Sequence, residues 1–342
     1  LNTQVYHYPD YFYLENGEDL AELDIAYTTL GTLNADQSNV VWICHALTAN
    51  ADVADWWKGL VGPGYLLDPE RYFIICANIL GSCYGTSGPL ATNPRTGTPY
   101  YNEFPQVTIR DMVAAHELLR SHLGIRRIHL LIGGSLGGQQ AMEWAVQRPK
   151  LFDNLVLIAT NARHSPWGIA FNESQRLAIL ADPTWAKPVP SAGRAGLKAA
   201  RSIALLSYRN YETYVNRQSE TTDDKVDDFR ASSYQRYQGE KLVKRFNVIS
   251  YLRISKAFDA HNVGRARGGI EAALARVRAR TLVVGITSDL LFPTSEQHFL
   301  VRHIAGAQYA EIDSPYGHDG FLVEYAQLSQ LLGSFLQNES AA

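Results

Sequence analysis

Hydrophobic and polar positions change period several times along the chain, and each change marks an element. Near the N-terminus, YFYLEN and LDIAYTTLG alternate apolar and polar residues, with turn residues at Asn16-Gly17 and Gly31. That two-residue period is the mark of half-buried strands. NVVWICH (39–45) and RYFIICANIL (71–80) are instead short continuous apolar runs, the pattern of parallel strands buried on both faces. PLATNPRTGTPYYNEFP has no period and reads as a loop. Helical spacing then begins. Thr108 stands as a cap with Asp111 three residues on, Ile109, Met112, Val113 and Leu119 share a face, and Gly124 is placed to end the helix in a left-handed conformation. The strand RRIHLLIG, a glycine turn, the helix QQAMEWAVQ before Pro149 and the strand LVLIAT (155–160) follow.

Strand–helix–strand alternation predicts a mostly parallel central sheet with helices on both faces, an α/β fold. The alternation lapses near Asn161. From there to Arg267 the chain reads as helical and polar, rich in Arg, Tyr and Ser, with no buried strand. It resumes after Gly268 with helix EAALARVRAR, strand TLVVGI, helix TSEQHFLVRHI, strand AQYAEI and helix GFLVEYAQLSQLLGSFL. The expected organisation is a core domain formed by 1–160 and 268–342, into which a helical lid, 161–267, is inserted.

Composition narrows the function classes. With 342 residues, 46% apolar and 19% charged, the chain is long enough for one large globular domain carrying an insertion. A net charge of -3 speaks against nucleic acid as a partner. The three cysteines show no C-x-x-C spacing, which argues against a disulfide framework and a metal site and favours a reducing compartment. No apolar run approaches the length of a membrane span, and LNTQVYHYPD has no leader pattern. A soluble cytoplasmic protein without membrane or metal is expected.

The candidate chemistry lies in the glycine turn IGGSLGGQQ. Gly133 and Gly138 have the outer spacing of a phosphate-binding loop, but Gln139 and Gln140 follow where that loop needs its lysine. The dinucleotide pattern G-x-G-x-x-G fails too, because its middle glycine would fall at Ser135 or Leu136. Gly133-Gly134-Ser135-Leu136-Gly137 instead matches G-x-S-x-G between a strand and a helix, the nucleophile elbow. A serine on so tight a turn needs neighbours with almost no side chain, and the helix behind it aims free N–H groups at the site. The Leu136 N–H is one expected oxyanion donor. In this architecture an acid and then a histidine follow the serine in chain order. Asp289 stands just after TLVVGI and His318 lies in the loop after the final strand, so Ser135, Asp289 and His318 form the expected triad. The second oxyanion donor is expected in His45-Ala46-Leu47-Thr48, with the Leu47 N–H as candidate and His45 shaping the loop. His116, His122, His298 and His303 read as ordinary packing or exposed residues.

Together these motifs resemble the homoserine O-acyltransferase family of α/β-hydrolase-fold enzymes, nearly end to end. The resemblance rests on HALTAN with WWKGLVGPG, NILGSCYGTSGP, FPQVTIRDMV, GGSLGGQQAMEWA, ARHSPWGIAFNESQRLAI and GHDGFLVE. It implies acetyl transfer from acetyl-CoA, a co-substrate rather than a bound cofactor, to L-homoserine in methionine biosynthesis. Succinyl-CoA as donor, serine as acceptor, simple ester hydrolysis and a non-catalytic relative are the alternatives. The resemblance also implies a homodimer through the lid, a lid arginine on the acceptor carboxylate, for which Arg209 in LLSYRNYE is the match, and Asp319 on the ammonium. Capping of the last helix is a rival role for Asp319. The family usually carries Met and Gly where this chain has Leu136 and Ser82, positions where acyl-chain size could be selected.

Overall fold

The computed structural model describes residues 2–337. Its centre is an eight-stranded sheet. The strands are β1 (Gln4–Tyr8), β2 (Leu23–Leu30), β3 (Val40–Cys44), β4 (Phe73–Ala77), β5 (Ile128–Gly134), β6 (Phe152–Ile158), β7 (Arg280–Ile286) and β8 (Gln308–Ile312). They lie side by side as β1-β2-β4-β3-β5-β6-β7-β8. Only the β1–β2 and β2–β4 pairs are antiparallel, and the remaining pairs are parallel. This is the expected α/β-hydrolase sheet. Strand β1 was not foreseen: QVYHY is mostly exposed at the sheet edge, and so carries little of the apolar signal that reveals a buried strand.

Strand periodicity divides the core in two. Val40, Trp42 and Cys44 of β3 belong to one apolar cluster, while Val41 and Ile43 belong to the other. The first cluster takes α1 (Ile109–His122) and α2 (Leu136–Gln147) through Met112, Val113 and Trp144. The second takes the C-terminal helix Tyr325–Gln337 through Leu328, Leu332 and Phe335. The run read as one last helix is broken, with a helical turn at Gly320–Val323 before the break at Glu324. The capping box at Thr108 and Asp111 is formed, and Gly124 adopts φ +67 just past the end of α1. The stretch EAALARVRAR forms only the short helix Ile270–Leu274.

Between β6 and β7 the described backbone is helical: α3 (Pro166–Leu180), α4 (Arg194–Tyr208), α5 (Tyr211–Gln218), α6 (Arg230–Val243) and α7 (Val248–Asp259). Strands β6 and β7 nevertheless pair directly, Leu157 opposite Val283. The helical segment therefore leaves and re-enters the sheet between adjacent strands without displacing either.

Candidate active site

The site is built on the turn from β5 to α2. Ser135 sits between them at φ 58 and ψ -127, a backbone conformation that strains any residue with a side chain. Sheet contacts hold it there. The Ser135 N–H donates to the Ile158 carbonyl at 2.9 Å, and the Thr160 hydroxyl donates to the Ser135 carbonyl at 2.8 Å. The flanking glycines have a steric cause. A Cβ on Gly133 would lie 2.2 Å from the Gly137 carbonyl oxygen, and one on Gly137 would lie 2.0 Å from that of Cys44. Helix α2 meets the strands too closely for any other residue at either position.

Two later strand ends bring the partners. Asp289 follows β7 and His318 follows β8, in the short turn Gly317–Asp319. One Asp289 carboxylate oxygen, Oδ1, accepts from the Leu291 and Phe292 N–H groups at 2.8 and 2.9 Å. The other, Oδ2, stands 2.7 Å from His318 Nδ1. On the far side of the ring, Nε2 is 2.8 Å from the Ser135 hydroxyl oxygen. An Nδ1–H donated to Asp289 leaves Nε2 free to accept the serine proton. All three residues are buried. Burial alone would push the His318 pKa down, but the Asp289 charge and hydrogen bond, with Asp319 adding to them, carry it above its ordinary value. The Phe292 and Phe321 rings lie 5.1 and 5.6 Å from the imidazole and enclose it.

The expected oxyanion donors stand near this array. Leu136 opens α2, so its N–H has no acceptor within the helix. Leu47 lies in the loop after β3 and lines the same cavity as Ser135. His45 is structural, as expected: Nδ1 is 2.8 Å from the Ala46 carbonyl, and Nε2 accepts from the Ile79 N–H at 3.1 Å. That pattern requires a neutral ring, in accord with burial pushing its pKa down to about 4. His116 packs against Trp42 and Trp144 and bonds Gln140 at 3.0 Å.

Ser135 and His318 open into a cavity of about 390 Å³ that Arg201, Tyr208 and Asp319 also line. Asp319 makes no capping hydrogen bond to the helical turn it precedes. Its carboxylate lies 3.2 Å from the Arg209 guanidinium instead. Arg209 itself lines a neighbouring cavity with Tyr214, Arg217 and Tyr316, and it reaches the Ser135 cavity through its pair with Asp319. It is the first residue past α4, with φ -113 and ψ 174, and its N–H still donates to the Leu205 carbonyl at 3.0 Å. Arg201 lines the cavity that holds Ser135. Its guanidinium stacks 5.4 Å from the Tyr208 ring centre, and its buried Nε has no hydrogen-bond partner. The buried Arg209 Nε likewise has no partner; Arg201, Leu205 and Tyr208 fall in one i, i+4, i+7 row of α4. Ser82 lines a separate cavity with Cys83 and Tyr100, and the Leu136 side chain is wholly buried in the core.

Comparison with known proteins bears on what this array does. A family model described as alpha/beta hydrolase fold matches residues 39–325. A homoserine O-acetyltransferase of Cyclobacterium marinum is 48% identical over 335 residues, covering 98% of this chain and 95% of that protein. The crystal structure of homoserine O-acetyltransferase from Bacillus anthracis superposes with a TM-score of 0.91 at 25% identity, covering 98% of this chain and 97% of that one. An acetylester hydrolase from Corynebacterium glutamicum superposes with a TM-score of 0.87 at 25% identity, covering 98% and 96%. The same scaffold therefore serves both transfer to an acceptor and hydrolysis.

Proposed function

Because the chain belongs to the homoserine O-acetyltransferase family, on an α/β-hydrolase scaffold, we propose that it moves an acetyl group from acetyl-CoA to the hydroxyl of L-homoserine through an acyl-Ser135 intermediate. One observation carries this reading beyond ester hydrolysis. The cavity that holds Ser135 and His318 is also lined by a cation, Arg201, and a carboxylate, Asp319. An ester hydrolase needs neither, whereas an amino-acid acceptor presents a carboxylate and an ammonium that match them.

His318 takes the Ser135 proton as Oγ attacks the thioester carbon. The oxyanion then formed is held by the Leu47 and Leu136 N–H groups, and loss of one such donor typically costs about 3 kcal/mol in the barrier. The carbon–sulfur bond breaks, the sulfur leaves with the proton from His318, and acyl-serine remains. In the second half the acceptor hydroxyl gives its proton to His318 and attacks the ester carbon. Ser135 leaves and regains a proton from His318. Asp289 fixes the imidazole orientation throughout and stabilises its positive charge.

Water competes in the second half, so the acceptor must be held where water is not. Arg201 takes the carboxylate in this scheme, in place of Arg209. The Arg209 guanidinium is already engaged by Asp319 at 3.2 Å, whereas no carboxylate pairs with Arg201 among the described residues. Asp319 takes the ammonium, with Arg209 holding it in position. The product is an O-acetylated amino acid, a step toward methionine, and the working unit is a homodimer joined through the lid.

The test is the rate of free CoA release from acetyl-CoA with and without L-homoserine. Strong dependence on homoserine supports transfer. Release indifferent to homoserine means hydrolysis or another acceptor, and the same assay with L-serine and with succinyl-CoA separates those outcomes.

A further inference from the structure

Two more cations line the Ser135 cavity, Lys241 and Arg245. Both are exposed, in contrast to the buried Arg201 Nε. They lie four residues apart, Lys241 in the last turn of α6 and Arg245 just beyond it. No carboxylate pairs with either among the described residues, although the chain pairs Arg110, Arg176, Arg209 and Arg267 with acids. Arg245 is nonetheless fixed. Its guanidinium donates to the Thr48 carbonyl and, at 2.8 Å, to the Tyr84 hydroxyl. Both acceptors are neutral, so the charge is oriented without being cancelled.

We propose that Lys241 and Arg245 form the subsite for the phosphates of the acyl-CoA donor. The inference rests on the reading that the donor is an acyl-CoA. A donor of that kind must bring its thioester carbon to Ser135 while its anionic end stays near solvent. The cavity lining offers both, with Arg201 half-buried beside Tyr208 and Lys241 and Arg245 exposed, the acids of that lining being Asp55 and Asp319. Phosphate oxygens are strong acceptors for charge-assisted bonds from both side-chain types. Neutralisation of the α6 C-terminus accounts for Lys241 alone. It does not account for Arg245, whose guanidinium turns away from α6 toward the loop after β3.

The test compares kcat/KM for acetyl-CoA, dephospho-acetyl-CoA lacking the ribose phosphate, and S-acetylpantetheine lacking all nucleotide phosphates. In wild type acetyl-CoA is preferred over S-acetylpantetheine. In Lys241→Gln that preference falls about tenfold, the worth of one charge-assisted bond, and Lys241→Arg restores it. Arg245→Gln lowers the same preference and also slows every donor, since it frees the Thr48 carbonyl beside Leu47. If the fall vanishes when acetyl-CoA is replaced by its dephospho form, Lys241 reads the ribose phosphate; if it persists, it reads the pyrophosphate. An unchanged preference in Lys241→Gln overturns the subsite while leaving the transferase reading intact. A wild-type enzyme that discharges neither these donors nor succinyl-CoA overturns both.

Discussion

At the scale of single residues, the chemistry depends on which group is free and which is engaged. Among the described residues Ser135 has one base within reach, His318 Nε2 at 2.8 Å, so Ser135→Ala is expected to abolish CoA release, and retained activity would remove the serine from the mechanism. The acceptor side separates two arginines of nearly equal sequence position. Arg201→Gln is expected to raise the KM for homoserine by about tenfold or more, while donor-dependent acylation of Ser135 survives in a mass measurement of the intact protein. Arg209→Gln is expected to disturb Asp319 instead, through loss of its 3.2 Å pair. The pH profile follows from His318. It must be neutral to accept the serine proton, and its pKa lies above the ordinary 6.5. The rate therefore falls as pH drops through a midpoint above that value. Asp319 contributes to the upward shift, so Asp319→Asn moves the acid limb of kcat/KM for the donor to lower pH.

At the scale of elements, the elbow is a packing problem before it is a catalytic one. Helix α2 can start beside β5 only if residues 133 and 137 lack side chains, because each Cβ would overlap a carbonyl oxygen. Gly137→Ala is expected to destabilise the fold by about 3 kcal/mol or more, read as a lower urea midpoint. Helix α1 offers a milder comparison. Its Thr108 hydroxyl accepts from the Asp111 N–H while the Asp111 carboxylate accepts from the Thr108 N–H. Thr108→Ala should cost about 1 kcal/mol with no loss of turnover per folded molecule. These elements were legible because their causes are local. Caps, glycines and apolar periods are written within a few residues of where they act. Strand β1 was not legible, because an exposed edge strand is held by its partner β2 and not by its own burial.

For the molecule as a whole, the active site joins parts distant in sequence. The inserted helical segment meets the core at the loops around the candidate site: Thr213 donates to the Pro315 carbonyl, Arg209 pairs with Asp319, and Arg245 holds the loop that carries Leu47. The same segment leaves apolar side chains uncovered, among them Leu177 and Leu180 on α3 at 58% and 44% exposure. Helical spacing places these two on one face. A homodimer through the lid predicts twice the 38.1 kDa chain mass in sedimentation equilibrium, and dissociation in the double variant Leu177→Glu, Leu180→Glu. A monomeric wild type would remove the lid from any role in assembly.

The sheet-and-helix alternation, the elbow serine and the order in which acid and histidine follow it are all legible in the residue pattern. Each depends on backbone chemistry that has few residue solutions: a strained turn needs glycine, a buried parallel strand needs an apolar run. The fit of Asp289 and His318 to the ends of β7 and β8 was legible for the same reason, since strand ends of this sheet gather at one edge. The place of Arg201 in the lining of the Ser135 cavity and the pairing of Arg209 with Asp319 were decided only in three dimensions. Arg201 and Arg209 look alike in a polar helical segment, yet α4 ends at Tyr208. The first lies within the helix and lines the Ser135 cavity, and the second, just past its end, pairs with Asp319. Helix phase at a terminus and charge pairing through space are set by packing, and a one-dimensional pattern does not encode them.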